Sequence, residues 1–302
     1  MKPTVTPLRY PGGKTWILPY VKQFLKYHKI NLGTIIEPFA GSASVSIGLL
    51  KDGLADFAYI CEKDPLITSF WKSVLYRNEE FIEAIQHLQI SMETWHDFKK
   101  FLEEGANRKY DEIELGVAFL FYNRVNYSGI IKAGPIGGKN QSSKYKLQCR
   151  FNLDRIIKKL TELGTLVDNI EVVSSDGIDY IQNYNWSGHD NDTFIYVDPP
   201  YYSAGKVLYR NYFRDDEHIK LASIVTKIEI PWLVSYDESE FISHLYETSK
   251  FQYVYTDYQA GNLRRGIREL LISNRKIPPT DWESEKTQIN QIEEKTEKIE
   301  LL

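Results

Sequence analysis

The apolar run Phe194-Ile195-Tyr196-Val197 stops at Asp198-Pro199-Pro200-Tyr201. Such a run reads as a buried strand. Two successive prolines cannot continue it, because neither ring has an N–H to give to a neighbouring strand. The four residues are thereby placed at the strand's carboxyl end, where open α/β sheets bind their ligands. Three chemical tools meet there: the Asp198 carboxylate, a Pro199 carbonyl followed by a residue without an N–H, and the flat ring of Tyr201. Two acceptors and an aromatic face suit a planar amine such as the exocyclic NH2 of a nucleobase. A purely structural turn is the competing explanation, and two prolines in that context make it the weaker one.

The rest of the chain supports an α/β organisation. Thr34-Ile35-Ile36-Glu37 is a short apolar strand closed by Pro38-Phe39-Ala40-Gly41, and Ser42 to Leu50 reads as the helix behind it. Ala58-Tyr59-Ile60-Cys61 is a second buried strand, and Glu62 stands at its end. Strand, helix, strand and a terminal acid form the layout of a nucleotide-binding unit. Strands are expected again at Ile170–Ser174, Thr193–Val197 and Trp232–Ser235, with an antiparallel pair from Phe251–Tyr258 and Glu269–Ser273. Residues 65–120 carry three-four spacing and read as helices, whereas 126–150 are rich in Gly, Ser, Lys and Asn and read as loop. The expected domains are therefore 1–64 with 160–280, an insertion at 65–159, and a charged tail at 281–302. A chain of 302 residues accommodates that plan.

Two glycine motifs are misleading. Gly12-Gly13-Lys14-Thr15 lacks the glycine a P-loop needs, since Leu8 occupies its place. A flexible turn presenting Lys14 is what remains. Gly41-Ser42-Ala43-Ser44-Val45-Ser46 is not G-x-G-x-x-G, so close approach of a pyrophosphate, and with it a dinucleotide, is disfavoured. A nucleoside without phosphates needs less clearance, and Glu62 could accept both of its ribose hydroxyls.

The net charge of −4 argues weakly against a nucleic-acid partner, but the average hides an asymmetry. Between residues 124 and 159, nine basic residues (Arg124, Lys132, Lys139, Lys144, Lys146, Arg150, Arg155, Lys158 and Lys159) face one acid, Asp154. With Tyr127, Tyr145 and Phe151 interleaved, the stretch suits a phosphate backbone; a solvated surface is the alternative. Cys61 and Cys149 offer neither a disulfide framework nor zinc spacing, and no cluster suggests a metal. The first residues lack an apolar secretory core, and no apolar run approaches the roughly 18 residues of a membrane span, so a cytoplasmic protein with no membrane partner is expected.

These motifs together resemble the DNA adenine methylase (Dam-like) family of S-adenosylmethionine-dependent methyltransferases, over about Leu8 to Ile277. Leu8-Arg9-Tyr10-Pro11-Gly12-Gly13-Lys14 is similar to its N-terminal cofactor motif, and Glu37 to Val45 to its E-P-F-x-G-x-G-S-V loop. Asp198-Pro199-Pro200-Tyr201 is similar to its catalytic motif, Asn123 to Gly129 to the opening of its DNA-contacting part, and Leu263 to Leu271 to its closing motif. The order of motifs matches the alpha group. Ala43, where the family usually has Gly, and Glu62, where it commonly has Asp, depart from the pattern.

The resemblance implies a Rossmann-like class I methyltransferase sheet with an inserted, mainly helical target-recognition domain. It implies an adenine-specific enzyme that methylates N6 of a base flipped out of double-stranded DNA, with S-adenosylmethionine as cofactor and no metal. Catalysis is expected from Asp198, Pro199 and Tyr201. Tyr10, Lys14, Glu37, Phe39, Ala40, Gly41, Glu62, Asp176 and Asp198 are expected to bind the cofactor, and Arg124, Asn126, Lys139, Lys144, Lys146 and Arg150 to bind DNA. A prokaryotic or phage setting, a separately encoded restriction endonuclease and a monomer or weak dimer are further expectations. Cytosine-N4 methylation, an RNA substrate and a catalytically silent nucleic-acid-binding relative are the alternatives.

Overall fold

The computed structural model describes residues 5–9, 14–104, 110–186, 192–203, 205, 211–260 and 263–279. Seven strands form one sheet: β1 (Thr34–Glu37), β2 (Phe57–Glu62), β3 (Ile170–Ser174), β4 (Thr193–Val197), β5 (Trp232–Asp237), β6 (Lys250–Ala260) and β7 (Leu263–Ser273). Their spatial order is β3-β2-β1-β4-β5-β7-β6. The first five run parallel, and β7 inserts antiparallel between β5 and β6. This is the expected Rossmann-like sheet with an antiparallel hairpin at one edge. Its switch point, where the order reverses, lies between β1 and β4, so their carboxyl ends open the crevice that binds ligands in such folds.

The pleat sorts the strand residues into two cores. Ile35, Phe194, Tyr196, Leu233 and Leu271 face one side, and their neighbours Ile36, Ile195, Val197, Val234, Leu270 and Ile272 face the other. Both faces of the central strands are thus apolar, which explains why β4 is a continuous run rather than an alternating one. The first face is covered by α1 (Leu18–Tyr27), α2 (Ser44–Lys51), α3 (Pro65–Tyr76), α4 (Asn78–Gln86), α6 (Glu112–Val125) and α7 (Leu153–Gly164). The second is covered by α8 (Gly177–Asn183), α9 (Asp215–Val225) and α10 (Glu240–Leu245). The sequence pattern missed α8 and α10, which are too short for a periodicity to register.

Within 65–159, the helices α3 and α7 share one core with β2 and β3. A separate small cluster is built by Trp95 and Phe98 of α5 (Met92–Glu104) with Phe121, Tyr122 and Val125 of α6 and with Leu147. The loop of 126–152 folds over that cluster. No helix among the described residues is long and apolar enough to cross a membrane.

The turn after β1 is held at close quarters. A Cβ on Gly177 would fall 2.3 Å from the Pro38 carbonyl oxygen and 2.5 Å from the Phe39 ring. Neither neighbour can yield without moving the β1 turn. We therefore expect Gly177→Ala to lose about 1–3 kcal/mol by overpacking, measured by urea unfolding; wild-type stability would show that the turn is free to shift.

Candidate active site

The turn residues 37–43 leave β1 and are clamped from three sides. Glu37, 2 % exposed, accepts the N–H of Ser46 at 3.0 Å and also its hydroxyl. Burial pushes the Glu37 carboxyl up to about 8, against the pull of those two donors. The buried indole of Trp71 donates to the Gly41 carbonyl at 2.9 Å. Glu62, at the end of β2, accepts the Gly41 N–H through Oε2 at 3.2 Å. Its Oε1 takes the N–H groups of Lys63 and Asp64, each at 3.0 Å. Burial raises Glu62 to about 7, with the Asp64 N–H the chief opposing influence. Gly41 and Ala43 both take left-handed backbone, with φ of 49° and 46°. For Ala43 that costs about 1–2 kcal/mol, a strain a glycine would lack.

Asp176 ends the segment after β3. It caps α8 by accepting the Ile178 N–H at 2.8 Å, and it pairs with Lys63 at 2.8 Å. Burial opposes its charge, but the Lys63 ammonium and the Ile178 N–H hold its carboxyl below the usual range.

At the end of β4 lies a buried ionic network. Lys14 is 5 % exposed and Glu269 3 %. The Lys14 ammonium reaches Asp198 Oδ1 at 3.0 Å, Glu269 Oε2 at 2.8 Å and the Tyr201 hydroxyl at 2.8 Å. An ammonium has three protons, and each has an acceptor. Tyr201 in turn donates to Glu269 Oε1 at 2.8 Å. Ser235 donates to Asp198 Oδ1 at 2.8 Å, so the Tyr196 hydroxyl, 2.9 Å from Ser235 Oγ, must be the donor to Ser235. Burial is the largest single influence on Lys14 and works against its charge, but Asp198, Tyr196 and Glu269 together outweigh it and hold the ammonium above its ordinary pKa. Burial raises Asp198, opposed by Lys14.

Strand geometry explains the meeting. Tyr196 and Asp198, Ser235 and Asp237, and Glu269 and Leu271 are each two residues apart, so they share the first face of the sheet. The antiparallel register places Glu269 opposite Asp237 and Leu271 opposite Ser235. Asp237 then accepts the N–H groups of Tyr202 and Ser203, each at 2.8 Å, and fixes the turn that follows Tyr201.

The structure thus joins Lys14, Asp198 and Tyr201, and separately joins Glu62 to Gly41 at the carboxyl ends of β2 and β1; Phe39 is half-buried and Ala40 buried in the same turn as Gly41. Tyr10 lies outside the described residues. Sequence reading missed Ser235, Asp237 and Glu269. The available signal for Glu269 was a charged residue beside the apolar Leu270-Leu271-Ile272.

The residues expected to touch DNA divide in two. Lys139, Lys144, Lys146 and Arg150 are exposed on the loop. Asn126 is fully buried: its Oδ1 accepts the Trp95 indole N–H at 2.8 Å and its amide donates to Ile130 and Ile131. Arg124 donates to Pro7 at 2.9 Å and to the Arg150 carbonyl. Neighbouring Asn123 grips Arg9 by both its N–H, at 2.7 Å, and its carbonyl, at 2.9 Å. Asn123, Arg124 and Asn126 in this arrangement hold the N-terminal segment and the loop, and Tyr127, 51 % exposed, stands free beside them.

The carboxyl ends of the parallel strands, with Glu62 closing β2 and Asp198 following β4, form the candidate site of an α/β fold. The chain belongs to the D12 class N6 adenine-specific DNA methyltransferases, whose family model matches residues 10–261. It is similar to the Type II methyltransferase M.MjaIII of Methanocaldococcus jannaschii, at 27% identity over 88% of this chain and 98% of that one. It is also similar to the DNA adenine methylase of Escherichia coli K12, at 24% identity over 87% and 93%. Among solved structures, M. capricolum TrmK with S-adenosylhomocysteine aligns at 10% identity and a TM-score of 0.35, over 84% of this chain and 69% of that one.

The raised carboxyls set a pH dependence. An unfolded Glu titrates at 4.5, whereas Glu62 and Glu37 titrate at about 7 and 8 in the folded protein. Between these values the folded state holds protons that the unfolded chain has released, so stability falls as pH rises. Below 6.5 the lowered His28 and His218 act in the opposite sense. The ligand-free protein should therefore lose stability from about pH 6.5 to 8, and lose more above about pH 9, where the raised Cys61 thiol and the buried tyrosines act in the same sense. Urea midpoints across pH 6–9 check this, and Glu37→Gln should flatten the upper part of the slope.

Proposed function

We propose that this chain transfers a methyl group from S-adenosylmethionine to N6 of an adenine turned out of duplex DNA at a specific site. One observation carries the reading: Asp198 is fixed by Lys14 and Ser235 through Oδ1 alone, and Oδ2 takes no bond from the described residues. That oxygen and the Pro199 carbonyl are the pair of acceptors an exocyclic NH2 requires.

The cofactor's needs fit the residues present. A ribose diol calls for a carboxylate at the end of β2, which Glu62 supplies; Asp176, two residues past β3, would serve an adenine edge. Glu37 and the backbone of Phe39, Ala40 and Gly41 line the turn where the methionine portion belongs. S-adenosylmethionine supplies, when bound, a methyl group on a cationic sulfur.

Adenine N6 is a weak nucleophile, because its lone pair is delocalised into the ring. Asp198 and the Pro199 carbonyl accept its two hydrogens, which turns the nitrogen toward tetrahedral geometry and aims the lone pair. The same acceptors stabilise the positive charge that develops on nitrogen, and they are oriented beforehand. The product nitrogen must release one proton; burial raises the Asp198 pKa, which suits it to receive that proton.

Turning the base out of the helix costs a few kcal/mol, part of which stacking on Tyr201 recovers. Lys139, Lys144, Lys146 and Arg150 supply salt-dependent affinity for phosphate. Arg124 and Asn126 serve DNA through the loop they hold, and the insertion at 65–159 carries recognition through that loop, while its α3 and α7 pack on the sheet. The relatives named Type II methyltransferases make protection against a separate restriction endonuclease the natural setting, and the enzyme acts wherever that DNA is held.

Incubation with unmethylated duplex DNA and labelled S-adenosylmethionine should yield labelled N6-methyladenine on nucleoside analysis. Asp198→Ala should bind the DNA within about threefold of wild type and lose methyl transfer by at least about a hundredfold. Full turnover in that variant would sink the assigned role.

A further inference from the structure

Glu269 has no place in the mechanism above, yet it is 3 % exposed and both of its oxygens are engaged at the reacting end of β4. A buried carboxylate is expensive unless it serves a partner. Here it serves two: the Lys14 ammonium and the Tyr201 hydroxyl. It lies on β7, and only the antiparallel register with β5 brings it to Asp198.

Two consequences follow from this geometry. Lys14 is pulled three ways, and its approach to Asp198 is at Oδ1, 3.0 Å away, the same oxygen that takes the Ser235 hydroxyl. Without Glu269, the strongest remaining partner would be the whole Asp198 carboxylate, and Oδ2 would be drawn into the ion pair. The second consequence concerns charge. By formal charge, one ammonium between two carboxylates leaves the cluster with one negative charge in excess; Lys14 and Asp198 alone would cancel. A cationic methyl donor, and afterwards a cationic N6, develops its charge beside this cluster.

We propose that Glu269 is a positioning residue for methyl transfer: it holds Lys14 and Tyr201 together, keeps Asp198 Oδ2 open for the amine, and leaves the site one negative charge that favours a sulfonium over its neutral product. This rests on the reading of Asp198 as the N6 acceptor. The other groups that face Asp198 are Glu37, Tyr196, Tyr201 and Tyr236. None of them is a second cation, so among the described residues Lys14 is the cation that faces these acids.

The test uses the full chain, with calorimetric titration of S-adenosylmethionine and of S-adenosylhomocysteine and with single-turnover methylation of duplex DNA. Glu269→Gln keeps the size and removes the charge. It should bind S-adenosylhomocysteine within about twofold of wild type, bind S-adenosylmethionine about tenfold more weakly, and methylate at least about tenfold more slowly; a purely structural glutamate would not change the ratio of the two affinities. Tyr201→Phe keeps the charge and the ring but cuts the tether. It should leave the affinity ratio unchanged and slow methylation by about tenfold, the worth of one hydrogen bond. An unchanged ratio and rate in Glu269→Gln overturn the proposal. Should that variant fail to fold, a wild-type rate in Tyr201→Phe overturns it instead. A wild-type protein that forms no N6-methyladenine would be a different failure, that of the functional reading itself.

Discussion

A lysine ammonium buried at the switch point of the sheet organises this molecule. Lys14 comes from the segment before α1, Asp198 and Tyr201 from the end of β4, and Glu269 from the penultimate strand in the sheet's spatial order. A charge so enclosed is tolerable only if all its protons are accepted. The acceptors therefore fix where three distant pieces of chain must meet. The sheet supplies the frame: parallel strands stop at one level, and the antiparallel β7 delivers a residue from its interior to that level.

Around this centre, most polar contacts serve position. Trp71 and Glu62 hold the β1 turn, Asp237 holds the turn after Tyr201, and Asn123 and Arg124 hold the N-terminal segment. Hydrogen bonds of this kind contribute modestly to net stability but are costly to leave unmade. They also couple the two halves of the enzyme. The helix that carries Asn123, Arg124 and Asn126 grips Arg9, so the loop that bears the exposed lysines is tied to the chain segment leading into Lys14. Ala43 is a visible compromise in the β1 turn, an alanine in a backbone conformation that glycine adopts more freely.

Much of this was legible beforehand. The apolar runs at 34–37, 58–61 and 193–197 are strands, because buried parallel strands have no polar alternation to hide them. The proline pair marks a strand end without reference to anything distant. The basic stretch from 124 to 159 divides less simply: charge counts cannot distinguish Lys139 or Lys144, which face solvent, from Arg124, which is folded against Pro7 and Arg150. Asn126 has the chemistry to read a base and spends it on Trp95 and two carbonyls.

By itself the sequence determined the order of elements, the terminal positions of Asp198 and Glu62, and the chemistry those ends can perform, since strand runs and prolines act locally. Only the tertiary structure decided that Glu269, Ser235 and Asp237 belong to the same site. Their assembly depends on strand register and on which face of the pleat each residue occupies, and a single acid or serine within a strand carries no local mark of either.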